Sequence, residues 1–217
     1  INGERLWSSL MEMASIGGTE KGGCNRQALT DLDKAGRDLF VKWCEEIGCI
    51  ARVDQMGNLF LRREGTDNDL PPVLMGSHLD TQPTGGKFDG VYGVLGGLEV
   101  LRTLHENKIQ TLHPIEVAVW TNEEGARFSP AMIGSGVWCG EFSLDYGLQR
   151  SDKNGLTISE ELKRIGYFGA HPCAPFPIKA AFELHIEQGP ILESLQKPIG
   201  VVKGVQGMRW YDLVVHG

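Results

Sequence analysis

Ile115-Glu116-Val117-Ala118-Val119-Trp120 is the clearest strand in the chain, and it runs straight into Thr121-Asn122-Glu123-Glu124-Gly125. A short apolar run that ends in charge is what a buried strand delivering side chains to a sheet edge looks like. The pattern occurs twice more. Val73-Leu74-Met75 leads into Gly76-Ser77-His78-Leu79-Asp80, and residues 180–186 read as a strand carrying His185, followed by Glu187-Gln188. Between the first two runs, Val94, Leu95, Leu98, Leu101 and Leu104 recur at helical spacing and predict a buried helix. Strand, helix, strand, helix, strand predicts an α/β fold with a mainly parallel central sheet flanked by helices. In such sheets ligands bind beyond the carboxyl ends of the strands. Three strand ends bearing polar clusters therefore mark one candidate site.

Working outward, Leu6, Leu10 and Met13 predict an opening helix. Thr30 is a good N-cap with Asp33 three residues on, and Leu32, Leu39, Phe40 and Trp43 lie near one face of the helix that Gly48 ends. Residues 49–53 and 58–62 predict a hairpin around Met56-Gly57-Asn58. Ser159-Glu160-Glu161-Leu162 opens a helix that Gly166 closes, and residues 199–202 and 208–215 read as further strands.

Composition narrows the function. Lys plus Arg number 21 against 28 Asp plus Glu, a net charge of −7, which argues against a nucleic-acid backbone binder. No apolar run approaches the ~20 residues of a membrane span, and Glu4, Arg5 and Glu12 interrupt the stretch a signal peptide would need. The five cysteines are an odd count without C-x-x-C spacing, so neither a disulfide framework nor a zinc ribbon is expected, and a reducing, cytoplasmic setting is. The first residue is Ile1 rather than Met, which leaves the true start open.

Several chemistries fail on spacing. Gly93-Val94-Leu95-Gly96-Gly97 is not G-x-G-x-x-G and lies in a helical pattern; Gly86-Lys87 lacks the upstream glycine of a P-loop. Gly134-Ser135-Gly136 reads as a turn, not a nucleophile elbow. What remains is imidazole and carboxylate. His78 and Asp80 stand two apart at a strand end and share a face. Asp89 closes a Gly-rich loop, and adjacent Glu123 and Glu124 point apart, so that one can hold a metal while the other stays a base. Singly, a histidine by a strand is a structural residue and a Glu pair is solvated charge. Gathered at three strand ends, they have no structural reason to be there.

The segments Met75-Gly76-Ser77-His78-Leu79-Asp80-Thr81, Gly85-Gly86-Lys87-Phe88-Asp89-Gly90, Thr121-Asn122-Glu123-Glu124-Gly125 and His185-Ile186-Glu187-Gln188-Gly189 resemble the metal-dependent N-carbamoyl-L-amino-acid hydrolases. That group includes β-ureidopropionase and allantoate amidohydrolase, within the dizinc aminopeptidase/deacylase superfamily. The resemblance implies that His78, Asp89 and His185 bind one divalent ion. Asp89 would bridge to a second ion held also by Glu124. Asp80 would orient His78, Glu123 would be the general base, and Gln188 would touch the substrate. His185 is discriminating, because related peptidases and deacylases usually carry a carboxylate there. The ions implied are zinc, with Mn²⁺, Co²⁺ and Ni²⁺ also accepted by such ligands. The partners implied are a small ureido acid and, at full length, a second copy in a homodimer, with no nucleic acid or membrane.

The resemblance also implies a departure. Residues 1–204 match the N-terminal part of the family's catalytic domain, and 205–217 the start of its lid and dimerisation domain. A final histidine ligand and the lid's substrate-clasping residues are expected beyond the last residue, and His216 is read as structural or surface. Three alternatives stand beside cleavage of N-carbamoyl amino acids: allantoate hydrolysis, a dizinc peptidase or deacylase, and an inactive metal-binding fragment.

Overall fold

The computed structural model describes residues 1–207, 211 and 213–217, which form two compact units, Ile1–Ile186 and Glu187–Gly217. In the first unit, α1 (Gly3–Ser15) is capped by Asn2, whose side chain accepts the Arg5 N–H, and buries Leu10 and Met13. The helix α2 (Asp31–Glu45) starts at Thr30, whose hydroxyl accepts the Asp33 N–H at 3.2 Å. Of its predicted apolar face, Phe40 and Trp43 are buried, while Leu32 sits one position off the stripe and is exposed.

The expected hairpin is β1 (Ile50–Val53) with β2 (Leu59–Arg63), antiparallel. Gly57 turns it at φ +75°, where a β-carbon would lie 2.4 Å from Leu162 Cδ2. Next come β3 (Val73–His78), α3 (Val91–Glu106) and β4 (Ile115–Trp120). Two short helices follow, α4 (Ile133–Trp138) and α5 (Leu144–Leu148). Gly134-Ser135-Gly136 is thus helical rather than a turn, and Gly134 packs where any β-carbon would strike Asn58 Oδ1 and the Thr121 backbone. The amphipathic α6 (Ile158–Ile165) has a capping box between Thr157 and Glu160 and ends at left-handed Gly166.

The last strand, β5 (Ala180–Phe182), is shorter than expected, so His185 stands three residues beyond it. The second unit holds one short helix, α7 (Ile191–Ser194). Residues 199–202 form no strand; apolar and exposed, they have no ladder partner among the described residues. Of the strand expected over 208–215, residues 208–210 and 212 lie outside the described residues, and 211 and 213–215 are not in a strand.

The sheet order is β1-β2-β4-β3-β5. The α/β class holds with a mixed sheet: β1–β2 and β2–β4 are antiparallel, β4–β3 and β3–β5 parallel. Alternation along the strands splits the core. Leu59, Leu61, Val117 and Val119 join Phe40, Leu95 and Leu98 on one face. Phe60 and Ala118 face the other way, with Leu74, Trp120, Trp138 and Phe176.

Candidate metal centre

Register builds the site. In the parallel pair β3–β4, His78 stands opposite Trp120, so the two strands end level and Asp80 lies beside the corner at 121–124. In β3–β5, pairing runs from Val73–Ala180 to Met75–Phe182, and the chain reaches His185 three residues beyond the last pair. Residues 107 positions apart are thereby delivered to one edge, beyond the carboxyl ends where α/β sheets place their ligands.

His78 is buried, and its Nδ1 lies 2.8 Å from the Asp80 carbonyl oxygen, which fixes the ring. The glycine after Asp89 seats the other side of that ring. Gly90 has φ +67°, and a β-carbon there would lie 2.4 Å from the imidazole, so no larger residue fits. Nε2 is left facing the carboxylates, 3.8 Å from Asp89 Oδ1 and 3.3 Å from Glu123 Oε2. His185 Nε2 approaches the same Asp89 Oδ1 at 3.0 Å. One ligand atom from each of His78, Asp89 and His185 lies within 4.8 Å of the other two. Zinc bonds of ~2.0–2.2 Å hold two ligand atoms up to about 4.4 Å apart, so these three fit one ion after small side-chain adjustments.

Asp80 does two things. Its Oδ1 is 3.9 Å from His78 Nδ1, and its two oxygens accept the backbone N–H groups of Glu123 (3.3 Å) and Glu124 (3.2 Å). The carboxylate thus ties the β3 end to the β4 corner. That corner turns at Asn122, in a left-handed conformation with φ 52°, whose Nδ2 donates to the Phe128 carbonyl at 2.7 Å. Adjacent Glu123 and Glu124 consequently diverge. Glu123 reaches His78, whereas Glu124 Oε2 accepts Gln82 Nε2 at 2.8 Å and lies outside the His78–Asp89–His185 group. Gln188 belongs to the second unit, at φ 53°. The fixed roles of Gly90, Asn122 and Gln82 escape a pattern search; only the Phe88-Asp89-Gly90 order hints at the first.

Burial and like charge set the protonation of the cluster. Burial raises Glu123, and the charges of Asp80, Glu124 and Asp89 add to it against His78. Burial likewise raises Asp80, with Asp33 adding to it. For His78, burial favours the neutral ring, but Asp80, Glu123 and Glu124 outweigh it and the net shift is upward. A cluster that holds protons this way releases them when a cation supplies the missing positive charge.

The model of peptidase family M20/M25/M40 matches residues 74–214. The chain belongs to that family. M20 members are metal-dependent, and this M20 chain carries a His/Asp/His group able to hold an ion. It is 56% identical, over all of its 217 residues, to an N-carbamoyl-L-amino-acid amidohydrolase of Rhizobium meliloti, of which it covers 52%. It is 35% identical over 206 residues to allantoate deiminase 1 of Glycine max, covering 41% of that protein. Among solved structures, an amidase of the hydantoinase/carbamoylase family from Burkholderia multivorans superposes with a TM-score of 0.90 at 64% identity, over 90% of this chain and 48% of that one. The chain spans about half the length of the curated relatives it matches.

Proposed function

We propose that the chain serves an amidohydrolase that cleaves the C–N bonds of N-carbamoyl-L-amino acids, taking up one water and yielding amino acid, ammonia and carbon dioxide. The observation that carries this reading is the convergence of His78, Asp89 and His185 on one point, with the Glu123 carboxylate 3.3 Å from His78 Nε2. Whole-chain likeness to an N-carbamoyl-L-amino-acid amidohydrolase favours a ureido substrate over a peptide.

Two divalent ions, zinc by ligand chemistry, are proposed: the first on His78, Asp89 and His185, the second shared by Asp89 and Glu124. Such ions lower the pKa of water and polarise a carbonyl. Glu123 is the general base. Its raised pKa brings it nearer the working range of a group that must take a proton and return it. It accepts the proton of the attacking water at Oε2 and passes it to the leaving nitrogen. The Asp80 backbone carbonyl holds the His78 ring, and the Asp80 carboxylate, 3.9 Å from His78 Nδ1, acts as the positioning group for the Glu123 backbone. Gln188 is assigned to the substrate, residues 1–204 to the catalytic domain and 205–217 to the opening of a lid and dimerisation domain. The working form is read as a cytoplasmic homodimer; no described helix is long and apolar enough to cross a membrane.

The alternative with support is allantoate hydrolysis, given the allantoate deiminase relative. A side-by-side assay on the complete protein, with N-carbamoyl-L-amino acids, N-carbamoyl-β-alanine, allantoate, N-acyl amino acids and dipeptides, separates the readings. Ammonia release from an N-carbamoyl-L-amino acid is expected to dominate, and dipeptide preference would sink the proposal. Glu123→Gln is expected to cut turnover by ~10²–10⁴ with metal content retained.

A further inference from the structure

Behind the strand ends lies a buried polar set that the reading above does not use. Asp33 and Arg37, one turn apart on α2, are both fully buried. Asp33 Oδ2 accepts Arg37 Nε at 2.9 Å and the Leu29 N–H at 2.8 Å. The rest of the guanidinium leaves the helix: Nη1 donates to the Gly57 carbonyl at 2.7 Å, and Nη2 to Thr121 Oγ1 at 3.3 Å. Thr121 is gripped on its other sides too. Its N–H donates to Asn58 Oδ1 at 3.0 Å, and its carbonyl accepts the Gly134 N–H at 3.0 Å. Asn58 is itself held by Asp54 Oδ2 at 2.8 Å.

Stability does not account for this arrangement. A buried ion pair is commonly replaceable by apolar residues without loss, and here Asp33 Oδ1 is left buried with no hydrogen-bond partner. An unmet buried acceptor is a standing penalty. What the pair does provide is a rigid two-pronged fork from α2 to the hairpin turn and the β4 end. Lysine, a single-point donor, could not span both. Thr121 is the last residue before the corner that carries Glu123 and Glu124, whose amides Asp80 holds from the other side.

We propose that Arg37 is a positioning residue: acting through Thr121, it fixes the β4 corner so that the Glu123 and Glu124 amides stay on Asp80 and their carboxylates stay apart. The importance of that corner to turnover rests on the amidohydrolase reading; the placement itself does not.

Residue-resolved amide hydrogen exchange on the complete protein tests it, using Thr121→Val, Thr121→Ser and Arg37→Lys. Valine keeps the shape of threonine and removes the acceptor; serine keeps the acceptor. In Thr121→Val the Glu123 and Glu124 amides should exchange roughly five- to tenfold faster, the factor one net hydrogen bond is worth, with amides inside β3 and α3 unchanged. Thr121→Ser should match the parent protein, and Arg37→Lys should resemble Thr121→Val. A uniform rise across all amides would mean general destabilisation and would overturn the proposal. Unchanged Glu123 and Glu124 amides in Thr121→Val, or collapse of all three variants, would do the same. A failed substrate panel would leave the exchange result standing, so the two readings fail separately.

Discussion

Two places in this molecule concentrate acid, and they hold it in opposite states. At the strand ends, Asp80, Glu123, Glu124 and Asp89 surround the imidazole of His78, and Asp80 and Glu123 are pushed up. Between α6 and the loop after β4, Asp152 and Glu161 face arginines, and both are held down. Arg127 donates to Asp152 Oδ2 at 3.1 Å and to Glu161 Oε2 at 2.7 Å; Arg164 donates to Glu161 Oε1 at 2.7 Å. The second cluster carries its own countercharge and is architecture. The first gathers carboxylates around two histidines, which is chemistry that a divalent cation completes. Acid density alone does not mark a site; what faces the acid does.

The largest effect is expected where the countercharge is removed from the structural cluster. Arg127→Met removes the guanidinium that Asp152 and Glu161 share, which breaks the Asp152 ion pair while Glu161 keeps Arg164, and breaking a buried pair from one side costs about 3–5 kcal/mol. Urea unfolding should show that loss, with divalent-ion affinity of the surviving folded protein unchanged. A fall in ion affinity would join the two clusters and break the contrast.

Next comes the site's own support. Asp80→Asn keeps the shape but removes the charge that faces His78 and accepts the Glu123 and Glu124 amides. Groups that orient a metal ligand are typically worth 10–100-fold in metal affinity, and because the residue-80 backbone carbonyl still holds His78 Nδ1 in the variant, the loss is expected at the lower end. Competition with a chromogenic chelator should register that weakening, and unfolding by urea should move less than in Arg127→Met. An unchanged affinity would remove Asp80 from the metal centre.

The pH dependence should separate the clusters by sign. Asp152 and Glu161 have lowered folded pKa values, so their contribution is present above the unfolded values near 4 and is lost as pH falls through the folded ones. Asp80 and Glu123 are raised, so the folded state binds more protons than the unfolded just above the ordinary carboxylate range, and stability declines as pH rises through that window. A bound divalent ion must displace those protons. Saturating Zn²⁺ should therefore raise Tm more at pH 7.5 than at pH 5, the gain changing by up to about 1.4 kcal/mol per pH unit for each proton displaced. An ion-induced gain that ignores pH would mean the ion sits elsewhere.

How much of this was legible in the sequence follows from range. Strands β3 and β4 and helix α3 announce themselves because each is a continuous apolar run whose burial needs no knowledge of its partners. The residues at their ends were readable as a candidate centre on equally local grounds: charge set directly after a core strand adds nothing to packing and costs desolvation. What the sequence hides is pairing. The Thr121–Arg37 contact spans 84 positions and depends on a helix packing across a hairpin turn. The divergence of Glu123 and Glu124 follows partly from a left-handed Asn122 that no periodicity reveals. Residues 180–186 look apolar enough to predict a strand carrying His185, yet ladder pairing stops at Phe182. Leu184 and Phe182 are exposed in the described chain, so hydrophobicity there is no guide to where the strand ends.

The smallest effect sharpens the contrast within the structural cluster itself. Arg164 shares Glu161 with Arg127 and also reaches Asp31 and the Leu29 carbonyl at 3.0 Å, so a count of its bonds would rank it with Arg127. Its side chain, however, is 44% exposed and its partner Asp31 84%, against 13% for Arg127. Water and salt screen such a pair, and exposed ion pairs are typically worth up to about 1 kcal/mol. Glu161 would also keep Arg127 after Arg164 is gone. Arg164→Gln is therefore expected to cost at most about 1 kcal/mol in urea unfolding, a loss that shrinks in 1 M NaCl as the Debye length falls to ~3 Å. Arg127→Met should keep most of its cost in the same salt. Equal losses for the two arginines would show that pairing, rather than burial, sets the strength of this cluster.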